Sequence, residues 1–158
     1  MKGYIGLTTK EWLNNIRKHC ELNEVVFWCK KKSFKAIESG EPFFFLKRDR
    51  FTSNMERYLV GHALYSRFER TDSENAWKTY GSSLGFESEE DFNNTLEGLY
   101  REKSFELGCI VLQTPVFYET EVSLGVCGID YSPCIVSGKI ITGEECLKIE
   151  DALRRMSK

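Results

Sequence analysis

Trp28 stands at the end of an apolar run, Glu24–Cys29, and Lys30, Lys31 and Lys32 follow it at once, with Lys35 close behind. An indole offers a flat apolar face on which a nucleic-acid base can stack, and ammonium groups beside it can hold phosphates. Between Trp28 and Arg50, seven basic residues (Arg48 among them) stand against three acidic ones, which leaves a local charge of +4 on a chain whose net charge is −2. The charge is segregated: a patch able to meet phosphate sits on a body that opposes indiscriminate binding. A base held out of its stack needs more than one aromatic wall, and Tyr65, Phe68 and Trp77 are the candidates for the second. The plain alternative is that Trp28 is a core residue and the lysines form a solvated loop.

Other chemistries find less support. The chain has no G-x-S-x-G elbow, no G-x-x-x-x-G-K-[ST] loop and no G-x-G-x-x-G turn. Ser137-Gly138-Lys139 resembles the end of a phosphate loop but lacks its upstream glycine. A zinc deaminase pattern is missing as well. The cysteines, Cys20, Cys29, Cys109, Cys127, Cys134 and Cys146, include no C-x-x-C pair, and His19 and His62 are far apart in the chain. No metal site and no cofactor are expected, and the cysteines read as small buried side chains of a reducing compartment. No apolar run approaches the roughly 18 residues of a membrane span, and the N-terminus has no signal-peptide core. The expectation is a cytoplasmic binding domain with no membrane partner and no catalytic activity of its own.

The elements that must position these residues follow from pattern. With 158 residues, 41% of them hydrophobic, the chain can bury one real core. Lys2–Leu7 reads as a strand. Thr8 with Glu11 forms a capping box that opens a helix with the stripe Trp12, Leu13, Ile16, ending near Cys20. Glu24–Cys29 is a strand, Ser39-Gly40-Glu41-Pro42 a turn, and Phe43–Lys47 a strand buried on both faces. Tyr58–Arg67 is a long strand in which Gly61 marks a bulge or a close backbone approach. Helices follow at Ser73–Tyr80 and Ser88–Glu102. Gly108–Tyr118 is a strand in which Pro115 marks an edge or bulge, and Pro133–Ile141 is the last strand. Thr142 with Glu145 caps a final helix that runs to about Arg155. This order predicts an α+β fold: an open barrel, or a mixed and mostly antiparallel sheet, flanked by helices.

The segments VVFWCKKKSFKAIESGEPFFFL, YLVGHALYSRFERTDSENAWKTYG, LGCIVLQTPVFY and PCIVSGKII, in that order, resemble the EVE/YTH/ASCH-like branch of the PUA superfamily. They are most similar to modified-DNA reader domains fused to HNH nucleases or to McrB-type GTPase subunits of modification-dependent restriction systems. The resemblance spans nearly the whole chain and implies one PUA-like domain, residues 1–158, cut from a larger restriction protein. It implies double-stranded DNA with a modified, methylated base as ligand, the base flipped into an aromatic cage, and a GTPase or nuclease as the partner that acts. In such readers a tryptophan at the end of an early strand walls the cage; Trp28 matches it, and Cys29 would read the base through its backbone. Thr8 and Thr9, where YTH readers carry an asparagine, would approach the base. Lys139 in VSGKII would hold a backbone phosphate, beside Lys30, Lys31, Lys32, Lys35 and Arg48. An RNA modified-base reader of the same fold, a small nucleotide-processing enzyme and a protein-interaction module are the alternatives.

Overall fold

The computed structural model describes residues 1–18, 23–47, 57–100, 106–129 and 138–156. Arg48, His19, Cys20, Cys134, Ser137 and the outer ends of the expected strand 133–141 and helices 8–20 and 88–102 lie outside them. The described chain runs β1 (Gly3–Thr8), α1 (Lys10–Lys18), β2 (Glu24–Cys29), β3 (Pro42–Lys47), β4 (Tyr58–Asp72), α2 (Ser73–Tyr80), a 3-10 turn at Gly81–Leu84, α3 (Glu89–Tyr100), β5 (Glu106–Ser123), β6 (Gly138–Ile141) and α4 (Gly143–Met156). The strands form one sheet in the order β2-β5-β4-β3-β1-β6. Among the described strands, only the β1–β3 pair is parallel and the other four pairs are antiparallel. This is the expected α+β, mixed and mostly antiparallel open sheet with flanking helices.

Alternation along each strand sends neighbouring side chains to opposite faces, and here both faces are covered. On one face Tyr4, Val25, Phe43, Phe45, Ile110 and Leu112 form a core closed by Trp12, Leu13 and Ile16 of α1 and by Phe34 and Ile37 of the loop after β2. On the other, α4 packs Cys146, Ile149 and Ala152 on Ile5, Phe44, Leu46, Leu59 and Val122. Beside it, α2 and α3 pack Ala76, Tyr80, Phe92 and Leu96 on Val26, Leu107, Cys109 and Val111. β3 is therefore buried from Phe43 to Leu46, as its unbroken apolar run requires.

Local chemistry sets the element ends. Thr142 and Glu145 form the expected capping box: the Glu145 N–H donates to Thr142 Oγ1 at 3.1 Å and the Thr142 N–H to Glu145 Oε1 at 3.2 Å. Asp72 caps α2 by accepting from the Asn75 N–H at 2.7 Å. At α1 the expectation is corrected. Thr8 is the last residue of β1, and Thr9 is the cap, its Oγ1 accepting from the Trp12 N–H at 3.2 Å. Residue three beyond Thr9 is Trp12, so there is no box; the strand simply keeps one residue more than the pattern suggested.

β4 and β5 are longer than their sequence pattern because they pair along nearly their full length, from Tyr58–Ser123 to Asp72–Glu106. Bulges bend the pair at three places: near Gly61, near Thr114–Pro115 and between Tyr65 and Arg67. Thr114 takes a positive φ of 50°, and an added Cβ on Gly61 would stand 2.4 Å from the Val116 carbonyl oxygen. The first two bulges fall where Gly61 and Pro115 marked them; the third, between Tyr65 and Arg67, had no glycine or proline to mark it. Gly61→Ala is expected to cost about 1–3 kcal/mol, because a carbonyl held in a paired strand cannot yield cheaply; urea denaturation monitored by circular dichroism measures it.

Candidate nucleic-acid interface

β2 is an edge strand of the sheet, and its last two residues point to different faces. Trp28 opposes Cys109 and Cys29 opposes Gly108. Cys109 belongs to the core under α2 and α3, so Trp28 turns that way and its ring lies 6.0 Å from Phe86. Because no strand among the described residues lies beyond β2, the half-buried indole also touches the core on the other face. Cys29 lies against that second core. Burial pushes its thiol up, opposed by the Lys31 N–H and the Lys31 charge, so the protonated thiol is the form present at neutral pH.

The loop after β2 alternates anchors and charges. Phe34 and Ile37 are buried, whereas Lys30, Lys31, Lys32 and Lys35 are exposed. The Lys31 ammonium stands 5.8 Å above the Tyr4 ring and 5.9 Å above the Phe34 ring, within cation–π range. Phe34 packs edge-on to Tyr4 at 5.1 Å and lies 5.2 Å from Tyr65. The far end of the loop is pinned by backbone hydrogen bonds from Gly40 to the Tyr65 carbonyl at 2.8 Å and from Tyr65 to the Glu41 carbonyl at 2.9 Å. Gly108 makes room for the near end: a Cβ there would lie 2.5 Å from the Lys31 carbonyl oxygen and 2.7 Å from the Phe68 ring. The loop thus plugs the aromatic core with its apolar residues and carries its lysines outward.

The expected site residues divide into groups. Cys29, Lys30, Lys31, Lys32, Lys35, Tyr65 and Phe68 gather around the plugged core, with Trp28 at its edge. Tyr65 is itself a wall of that core, only 8% exposed. Trp77 lies elsewhere, stacked on Phe92 at 5.8 Å beside the acidic first turn of α3, Glu89, Glu90 and Asp91. Thr8 is buried at the far end of β1 from Tyr4, its hydroxyl donating to the Leu46 carbonyl at 2.8 Å, and Thr9 is engaged as the α1 cap. Lys139 opposes Ile5, so it projects to the α4 side, opposite the Tyr4 face. Sequence reasoning passed over Tyr4 and Phe34. An apolar residue set inside KKKSFK was the available signal for Phe34; Tyr4 had none.

A polar network lies on the Trp28 face. Glu69 opposes Cys109 from the other side, so Trp28, Cys109 and Glu69 form one row across three strands. The Glu69 carboxylate accepts from the Tyr80 hydroxyl and, at 2.6 Å, from Arg67 Nε, and Arg67 also reaches Glu24 at 3.6 Å. These bonds, Tyr80 first, hold Glu69 below the usual carboxylate range, while burial and the bond to Glu69 raise Tyr80. Burial, reinforced by Cys29 and Glu69, pushes Cys109 up to about 12. Among the described residues no group of His, Cys, Asp and Glu is placed to hold a metal ion, and no helix is long and apolar enough to cross a membrane.

The fold has solved counterparts. The ASCH protein of Zymomonas mobilis superposes with a TM-score of 0.64 at 14% identity, covering 94% of each chain. A tyrosine-to-phenylalanine variant of it gives 0.66 at 15% identity, covering 96% of this chain and 98% of that one. A serine-to-alanine variant gives 0.66 at 13% identity and 94% of each. No family profile matches the chain, and no curated protein sequence matches it either. The likeness shows that this chain shares the fold of that ASCH protein.

A depressed carboxylate stabilises the fold above its unfolded pKa, and that contribution is lost as pH falls through the folded value. Tyr80→Phe keeps the ring in its core but removes the hydroxyl from Glu69. It is expected to lower stability by about 1 kcal/mol at pH 7, with the gap to wild type closing toward pH 3; urea midpoints at the two pH values measure this.

Proposed function

We propose that the chain is a nucleic-acid-binding module that stacks an unpaired base on the exposed edge of Trp28 and holds the adjoining phosphates with Lys30, Lys31, Lys32 and Lys35. The observation that carries this reading is the loop after β2: its buried Phe34 and Ile37 fix a row of exposed lysines beside an aromatic edge. The anchored loop backbone keeps these charges close together, and counterions released on meeting phosphate supply affinity.

The ligand in this reading is DNA bearing a methylated base, flipped from the duplex, and the module directs a separate GTPase or nuclease in modification-dependent restriction. Flipping costs a few kcal/mol, and stacking on one aromatic contributes about 1–3 kcal/mol, so contacts to the modification must supply the rest. Phe68 and Cys29, flanking Gly108, are the groups this reading assigns to those contacts. Lys139 stands outside this patch and would meet phosphate only on a strand passing round the β6 edge.

Fluorescence anisotropy on one duplex, unmodified or carrying N6-methyladenine, 5-methylcytosine or 5-hydroxymethylcytosine, at one stated salt concentration, tests the reading. A preference of at least ten-fold, about 1.4 kcal/mol, is expected for one version. Trp28→Ala should abolish the preference while the protein remains folded by circular dichroism. Lys31→Gln should weaken all four versions alike and reduce the salt slope by about one. Equal binding to the four duplexes, with tighter binding to a matched RNA, contradicts the DNA reading, and absence of salt-dependent binding contradicts the module altogether.

A further inference from the structure

A cavity of about 400 Å³ opens on the face of the sheet opposite the lysine loop, between β4, β5 and the C-terminal turn of α4. Its volume lies in the range of small-molecule sites. The floor is His62 and Tyr118, joined at 2.6 Å between Nδ1 and the hydroxyl oxygen. The imidazole is held between rings, 5.9 Å from Phe44 and 5.5 Å from Tyr118. The walls are apolar: Val116, Leu153 and Met156, with Val116 47% and Met156 42% exposed. Arg154 and Glu119 stand at the rim with opposite charges.

The hydrogen-bond inventory of the floor is informative. Burial lowers His62, against a smaller opposing effect of Glu150, and raises Tyr118, so the pair is neutral at pH 7. A neutral imidazole has one N–H and a phenol one O–H. Their mutual bond uses one of these protons, whichever tautomer is present. One donor is therefore left over at the base of an apolar cleft. His62 and Tyr118 are both only half-buried, so this donor faces an open cleft where the acceptor of a bound molecule can replace water.

We propose that this cleft is a second binding site, which takes a small aromatic molecule bearing a hydrogen-bond acceptor. The ring lies between Val116, Leu153 and Met156, whose thioether suits an aromatic partner. The acceptor meets the spare proton of the His62–Tyr118 pair. Opposite charges at the rim make a formal charge on the ligand unnecessary. The site does not depend on the nucleic-acid reading, since it lies across the sheet from the lysine loop and shares no residue with that interface.

The test uses the full chain with ¹³C-labelled histidine, the His62 Cε1–H signal being assigned with a His19→Gln variant. Three probes are titrated: 2-naphthamide, 2-naphthoate and 2-naphthylmethylammonium, the last without an acceptor. The amide and the carboxylate are expected to shift the His62 signal saturably, and the ammonium to bind at least ten-fold more weakly. Val116→Glu and Met156→Glu, both at exposed positions, should each weaken the amide at least ten-fold with Tm unchanged. The proposal is overturned if neither acceptor probe gives a saturable shift, if the ammonium binds as well as the amide, or if both substitutions leave binding intact.

Discussion

Burial on both faces of a single sheet is the constraint from which the rest of this structure follows. Phe43 and Phe45 fill one side of β3, and Phe44 and Leu46 fill the other, all nearly inaccessible to water. Fully burying each such side chain contributes about 1.5–3 kcal/mol, and a one-residue slip of the strand would exchange every one of them between unlike cores. The register is thereby locked to α1 and the lysine loop on one face and to α2, α3 and α4 on the other. The bends at Gly61 and Thr114–Pro115 let the two longest strands, β4 and β5, serve both sides.

That constraint also decides what can act together. Trp28 and Cys29 are adjacent in the chain, yet one serves the core under α2 and α3 and the other the aromatic core beneath Lys31. Only the edge position of β2 lets the indole reach both. Lys139 and Lys31 are separated by the same alternation, as are Trp77 and Phe68. A strand parity that stabilises the fold thus sorts candidate ligand contacts into two sets, and the lysine loop belongs with Tyr4, Phe34, Tyr65 and Phe68.

Much of this was legible in the sequence. The unbroken run of β3, the capping box of α4, the turn at Gly40 and the bulges at Gly61 and Pro115 each carry a local signature, and each is present. The fold class followed from the order of those elements. The partners of Thr8 were not legible, because its hydroxyl is spent on a carbonyl thirty-eight residues away, Leu46. Nor was the role of Phe34, whose neighbours are lysines in sequence and aromatic rings in space. Local pattern reports which face of a strand is apolar; it does not report which distant strand supplies the other half of a contact. For that reason the cleft at His62 and Tyr118, fifty-six residues apart, went unseen.

The most direct test of the account is a map of amide shifts on adding a duplex that carries one methylated base at its centre, recorded residue by residue by ¹⁵N–¹H correlation. The account predicts that the largest changes fall on Trp28–Lys35, with Tyr65, Phe68 and Gly108 following, while α4 stays silent. Changes centred on α4, or none at a duplex concentration that saturates anisotropy, would contradict it.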